Sequence, residues 1–150
     1  MKEIFAQEGT PWDYPERYSF NDNLIELRDN VEIGMGAPLM GGLFINGTEV
    51  SLLNGKEMCH YTFGGPIMLT EKYIYLPLFD SIRKSKKIFY FWKYTYVSSG
   101  YYISRVSYSG KVEILSKKYD LVHIIKKEGN TLFFKERYNG KIKSIEIPPE

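Results

Sequence analysis

Apolar and polar side chains alternate with a period of two along most of this chain, as they do in β-strands. The alternation is clear near the end, where Leu132 and Phe134 are interleaved with polar positions that include Lys135. No amphipathic helix is predicted, and the pattern allows at most one helical turn near Asp80 to Lys84. The predicted strands are residues 24–34, 41–46, 49–53, 58–63, 67–70, 72–78, 87–97, 101–108, 111–116, 119–126, 131–138 and 141–147.

Dipeptides that favour tight turns separate these segments. Asn and Gly tolerate the positive φ of a type I′ turn, which predicts hairpins at Asn46-Gly47, Asn54-Gly55 and Asn139-Gly140. Weaker signals of the same kind are Ser99-Gly100, Ser109-Gly110 and Gly129-Asn130. This succession of hairpins predicts an all-β fold, a single antiparallel domain built as a sandwich or a partly closed barrel.

One predicted strand differs from the others in having apolar side chains at both alternating sets of positions. Between Lys87 and Val97 almost every residue is aromatic or aliphatic. A strand of this kind is typical of the centre of a sheet that is covered on both faces. We therefore predict that residues 87–97 form a central strand.

The first 23 residues have a different character from the rest. They hold Pro11, Pro15, several acids and the large aromatics Trp12 and Tyr14, which together indicate an extended arm rather than a regular element. Residues 24–150 are then the β domain, with residues 1–23 packed on it or projecting from it. The thirteen Tyr and nine Phe of the chain suit strands, where aromatic rings pack across a pleated surface.

Charge is divided between the two halves of the chain. Residues 1–80 hold twelve Asp/Glu against five Lys/Arg, a net charge of −7, while residues 81–150 hold six against fifteen, a net charge of +9. A folded domain with this division is strongly dipolar, so that its acidic part attracts a basic partner.

The chain has few residues that could act in catalysis or bind a metal ion. Cys59 and His60 are neighbours on a predicted strand, so their side chains point to opposite faces and form no dyad. A ribonuclease-like pair of His60 and His123 remains a third hypothesis, since one imidazole could accept a proton and the other donate one. We predict no enzyme, no cofactor and no metal site, because two His and one Cys match no zinc spacing.

Cellular location, nucleic-acid binding and small-ligand binding are predicted from simple sequence patterns. The acidic start and the lack of a long apolar run predict a cytoplasmic protein with no membrane span. Nucleic-acid binding is not expected, although the basic residues before the aromatic strand resemble a single-strand site; they are interpreted as a solvated loop. A hollow barrel that binds a small ligand is the alternative function. The basic residues are Arg83, Lys84, Lys86 and Lys87.

The aromatic and acidic residues near the start of the chain suit protein binding. Trp and Tyr supply large contact areas at low entropic cost, and carboxylates beside them can pair with Lys or Arg of a partner. The arm and the strand that follows it combine both kinds of residue. The predicted partner-binding residues are Trp12, Asp13, Tyr14, Glu16, Asp22, Glu26 and Asp29.

A resemblance to a known group rests on the acidic aromatic arm, the short chain and one internal stretch. Phe63-Gly64-Gly65-Pro66-Ile67-Met68 leads into Tyr73-Ile74-Tyr75-Leu76-Pro77. In these features the chain resembles the small β-rich immunity proteins that bacteria make beside secreted, contact-dependent or polymorphic toxins. The resemblance implies stoichiometric inhibition of one cognate toxin, such as a nuclease, through a basic surface of that toxin. The basic second half departs from the uniformly acidic immunity proteins that mask nucleases.

Overall fold

The computed structural model describes residues 4–5, 10, 12–32, 39–50, 59–88, 91–137 and 139–150. These residues form thirteen β-strands and no helix. The first seven are β1 (Ile4–Phe5), β2 (Arg17–Phe20), β3 (Asn23–Glu32), β4 (Leu39–Ile45), β5 (Thr48–Glu49), β6 (Cys59–Gly64) and β7 (Met68–Leu69). The others are β8 (Tyr73–Ile88), β9 (Phe91–Ser107), β10 (Val112–Ile114), β11 (His123–Glu128), β12 (Thr131–Lys135) and β13 (Ile142–Glu146).

The strands form two antiparallel sheets. The large sheet has the order β1-β7-β8-β6-β4-β3-β2, with β9 pairing β8 and β10, and β5 pairing β4. The small sheet has the order β11-β12-β13. The arrangement is sandwich-like and is not a closed barrel. The predicted all-β antiparallel fold is confirmed, and of its two forms the sandwich is the one observed.

A long hairpin of β8 and β9 is the largest feature that the sequence did not predict. Its ladder runs from the pair Tyr73 and Ser107 to the pair Ile88 and Phe91. The predictions of a basic loop at residues 83–87 and a turn at Ser99-Gly100 are therefore wrong, because these residues lie within strands, and no helical turn occurs at residues 80–84. Ser81 of β8 pairs with Ser99 of β9, and Ile82 pairs with Val97, so the ladder shifts its register beside Ser99-Gly100. Small residues suit such a bulge as well as a turn.

The part of the hairpin formed by residues 74–79 and 101–106 lies between two hydrophobic cores. Ile74, Leu76 and Leu78 of β8 point into the first core, while Tyr75 and Phe79 point into the second. The first core is completed by β3, β4 and the segment around β7, and the second by the small sheet. Because alternate residues of a strand face opposite sides, this stretch of β8 is buried on both.

Burial on both faces was predicted for a different part of the hairpin. The backbone of residues 91–97 lies in β9 as the sequence indicated, but the side chains of this stretch lie outside the described part of the structure. The two-sided burial that is described belongs to residues 74–79 of β8 and to their partners in β9.

Two tight hairpins have the backbone of a type I′ turn, which needs positive φ at both central residues. Asn46-Gly47 has φ of 50° and 83° between β4 and β5, which confirms the prediction. Asn21-Asp22 has φ of 47° and 61° between β2 and β3, and the sequence analysis did not predict this turn. This turn pairs β2 with β3, so that residues 17–20, which were predicted to belong to the arm, are a strand of the large sheet.

The other predicted turns differ in their outcome. Gly110 and Gly129 have positive φ, and each lies in a short connection between antiparallel strands, as expected for Ser109-Gly110 and Gly129-Asn130. Asn139-Gly140 is not a two-residue hairpin, because the last pair before this connection joins Lys135 to Ile142. Asn54-Gly55 lies outside the described residues.

The burial of β8 leads to a prediction for stability. Leu76→Ala removes a side chain with no exposed surface, and we expect it to lower the free energy of unfolding by about 2–5 kcal/mol. The control is Ile114→Ala in β10, where half of the residue is exposed and the expected loss is below about 1 kcal/mol. Urea denaturation of both variants checks this, and equal losses would contradict the assignment of β8 to the centre.

Candidate protein-binding surface

A β-bulge in β3 receives the N-terminal arm. Arg28 pairs with Gly42 and Val31 pairs with Met40, so that two residues of β3 lie opposite the single residue Gly41 of β4. The first of these two is Asp29, whose φ of 56° is left-handed, a conformation in which Asp is enriched. The bulge therefore turns the backbone at the point where the arm packs.

Tyr14 anchors the arm on this bulge. Its hydroxyl lies 3.0 Å from Asn30 Oδ1 and 3.0 Å from the carbonyl oxygen of Leu39, and it can donate to either acceptor. Its ring lies against Gly65, where a Cβ atom would come within 2.8 Å of the ring carbons. Burial raises the pKa of this hydroxyl well above its usual value, so that it remains a hydrogen-bond donor.

This placement changes the interpretation of Tyr14, which the sequence analysis counted among the partner-binding residues. Only 8% of the residue is exposed. Its side chain packs in the first core, so little of its surface is accessible to a partner. Tyr14 therefore holds the surface in position and is not part of it.

Glu26 is also covered, although it belongs to the outer face of the β2–β3 hairpin. Arg28 Nη2 donates to Glu26 Oε1 at 2.7 Å, and Arg17 Nε lies 3.2 Å from Oε2. The hydrogen bond from Arg28 is the main reason that the pKa of Glu26 is lowered. The guanidinium of Arg28 also lies 4.2 Å from the centroid of the Phe44 ring. The hairpin therefore displays two arginines where the sequence predicted an acidic contact.

Recognition of the turn at Asn21-Asp22 would have revealed this cluster. A two-residue turn there pairs Arg17 with Glu26, and the period of two places Arg28 on the same face. Residues 1–23 are predicted to be an arm, and this interpretation gives Arg17 no partner in a strand. The missed signal was an Asn-Asp dipeptide without glycine.

The remaining predicted residues are exposed, and four of them lie in the anchored segment or in the bulge that receives it. Thr10 and Asp13 exchange backbone hydrogen bonds of 2.7 and 3.1 Å, which fold the chain around Trp12. Trp12 is 40% exposed. Asn30 Nδ2 donates to Glu16 Oε1 at 3.4 Å, which brings Glu16 beside the bulge. We call Trp12, Asp13, Glu16 and Asp29 the arm surface.

Asp22 is exposed but lies apart from the arm surface. It occupies the turn at the far end of the β2–β3 hairpin, whereas Glu16 precedes the first residue of β2. The four residues of β2 put about 13 Å between these two positions. The structure therefore groups four of the seven predicted residues, buries two and leaves one at the hairpin tip.

The two histidines belong to different sheets, His60 to β6 of the large sheet and His123 to β11 of the small one. Burial, with a smaller effect of the Lys135 charge, lowers the pKa of His123. Within the described ranges no three His, Cys, Asp or Glu side chains come together as metal ligands would. Nor does this part of the chain hold a helix with the length and hydrophobicity that a bilayer crossing requires.

The lowered pKa of Glu26 leads to a prediction for acid stability. Its carboxylate stabilises the fold above the ordinary glutamate pKa of about 4.3, and this stabilisation is lost as the pH falls through the lower folded pKa. We expect Glu26→Gln to be less stable at pH 7 and to lose less stability on acidification. Denaturation curves between pH 7 and pH 3 measure this.

The control for this measurement is Glu71→Gln, which removes an exposed carboxyl between β7 and β8. It should leave the acid-side loss of stability close to that of the unchanged chain. A Glu26→Gln variant with the same pH profile as this control would show that Glu26 is not stabilised by its arginines.

Comparisons with known proteins add no assignment to this geometry. No protein-family model matches the chain. Searches of the curated proteins and of the solved structures gave no match either.

Proposed function

We propose that this chain is a non-catalytic protein-binding inhibitor of the immunity type, which neutralises a cognate bacterial toxin by stoichiometric binding. The observation that carries the proposal is the arm surface, where a partly exposed tryptophan is grouped with three exposed carboxylates. Trp12 supplies contact area, and Asp13, Glu16 and Asp29 supply charge. A toxin with a basic surface is the partner that matches these groups.

The way in which the surface is held supports the proposal. Tyr14 lies between Trp12 and Glu16 in the sequence, and its burial and hydrogen bond hold this segment on the sheet before a partner arrives. Less conformational entropy is then lost on binding, and more of the contact energy appears as affinity. A tryptophan with polar residues beside it is also a common arrangement of an interface hot spot.

Charge supports a fast association with a basic partner. The three carboxylates of the arm surface are exposed, so their field reaches into solvent and steers an oppositely charged surface. Arg17 and Arg28 together outweigh the charge of Glu26, and Arg28 also interacts with the charge of Asp29, so the negative field of the arm surface comes mainly from Asp13 and Glu16. Because Arg28 is held by both Glu26 and Phe44, it offers a fixed guanidinium to a carboxylate of the same partner.

The other two hypotheses find less support. A ligand inside a hollow barrel needs a closed barrel, and the sheets are sandwich-like. A ribonuclease-like site needs His60 and His123 to act on one substrate, and they belong to separate sheets. Neither hypothesis uses the arm surface.

A native pull-down with this chain as bait, at low and at moderate salt, tests the proposal directly. Mass spectrometry of a single stoichiometric protein, and loss of that protein's activity on addition of the chain, would support an inhibitor. A copurifying small molecule or RNA without any enriched protein would overturn the proposal.

Removing the acidic charges should slow association with the captured partner. In the triple variant Asp13→Asn, Glu16→Gln, Asp29→Asn, the last change keeps a residue type that tolerates the left-handed backbone. We expect the association rate constant at low salt to fall by a factor of roughly 10, with a weaker dependence on salt. Surface plasmon resonance at several ionic strengths measures both quantities.

The matched control is the triple variant Glu71→Gln, Asp120→Asn, Glu128→Gln. All three residues are exposed, and the change in net charge is the same. If this control slows association as much as the first triple variant does, steering depends on net charge alone and the arm surface is not the contact. A separate Asp22→Asn variant shows whether the contact extends to the hairpin tip.

Trp12 should affect affinity more than stability. We expect Trp12→Ala to raise the dissociation constant at least about tenfold, because a partly exposed tryptophan is typical of a binding hot spot. Leu24→Ala is the control, since Leu24 is similarly exposed, at 38%, but lies at the end of the hairpin that carries Asp22. Calorimetric titration of both variants, with thermal melts alongside, makes the comparison. Equal affinities for Trp12→Ala and the unchanged chain would remove Trp12 from the contact.

A further inference from the structure

The segment after β13 folds back across the boundary between the two sheets. Ile147 is buried, and its backbone N–H donates to the carbonyl oxygen of Asn130 at 2.8 Å. Arg105 Nη1 donates to the carbonyl oxygen of Pro148 at 2.8 Å. These contacts bring the side chain of Glu150 between the sheets.

Three side chains donate to the carboxylate of Glu150. Oε1 accepts hydrogen bonds from the hydroxyls of Thr70 and Tyr75, the latter at 3.2 Å. Lys127 Nζ lies 3.5 Å from Oε2. Both oxygens are therefore held, one by neutral donors and the other by a cation.

These donors come from separate parts of the fold and are almost completely buried. Thr70 follows β7, Tyr75 lies in β8, and Lys127 lies in β11 of the small sheet. Their exposed fractions are 1%, 0% and 6%. A carboxylate in such surroundings has exchanged water for fixed donors, and hydrogen bonds to a charged group are about twice as strong as neutral ones.

A second set of contacts holds the donors in position. The hydroxyl of Tyr108 donates to the carbonyl oxygen of Thr70 at 2.7 Å. Tyr75 also receives a hydrogen bond from Arg105, which is fixed in turn by Glu113 at 2.8 Å and by the ring of Tyr73. Burial raises the pKa of the Tyr75 hydroxyl, so that it stays protonated and able to donate.

We propose that Thr70, Tyr75 and Lys127 form a carboxylate-binding pocket that the side chain of Glu150 fills as an internal ligand. The donors converge on one small anion, and the contacts that hold Thr70 and Tyr75 come from Tyr108 and Arg105 and not from Glu150. The pocket therefore takes a small monocarboxylate, formate or acetate, when the side chain of Glu150 is removed. This site does not share residues with the arm surface and is independent of the proposed function.

Chemical rescue of Glu150→Ala tests the pocket. We expect this variant to melt several degrees below the unchanged chain, and sodium formate to restore a few degrees with a saturable dose dependence. Sodium chloride at the same ionic strength should not restore them. If the variant is unfolded in plain buffer, its refolding yield in formate against chloride gives the same comparison.

Two variants distinguish the pocket from a general effect of formate. Glu150→Ala combined with Tyr75→Phe removes one donor and should lose the saturable rescue. Glu146→Ala removes a carboxylate that accepts a hydrogen bond from Thr131 on the exposed face of the small sheet, and formate should not change its melting temperature beyond the chloride control. Formate rescue that is absent in Glu150→Ala, or equal in all three variants, would overturn the proposal.

Discussion

Burial of residues 74–79 of β8 and of their partners in β9 on both faces is the constraint on which the described structure depends. Neighbouring residues of a strand point to opposite faces, so Leu76 and Tyr75 cannot share one core. Each face needs its own cover, and the chain provides β3 and β4 for one and the small sheet for the other. The arm and the last residues then pack at the borders of these layers.

The same constraint decides where polar groups can be placed. Arg105 and Lys127 are buried between the layers, and such charges persist there because each is paired, with Glu113 and Glu150 respectively. Arg105 also donates to the carbonyl oxygen of Pro148, and Tyr75 donates to Glu150, so the last residues are tied to the hairpin. The ion pair of Glu150 with Lys127 connects them in turn to the small sheet. At the opposite border the hydroxyl of Tyr14 ties the arm to the bulge of β3, which leaves Trp12 partly exposed beside it.

In the fold, the negative charge of the first half of the chain is partly neutralised by nearby arginines. Arg17 and Arg28 cover Glu26, so the acidic first half does not present a uniform field. Asp13 and Glu16, on either side of the anchored Tyr14 in the sequence, remain exposed. The proposed inhibitor function rests on these exposed carboxylates and on Trp12.

Alternation of apolar and polar residues, together with turn dipeptides such as Asn46-Gly47, was enough to predict an all-β antiparallel fold and the positions of most strands, because both signals are local. The continuity of β8 through residues 80–84, the burial of Tyr14 and Glu26, and the meeting of Glu150 with Thr70, Tyr75 and Lys127 were decided by the tertiary structure. These features depend on register and on contacts between residues as far as eighty positions apart, and no local pattern encodes such pairings.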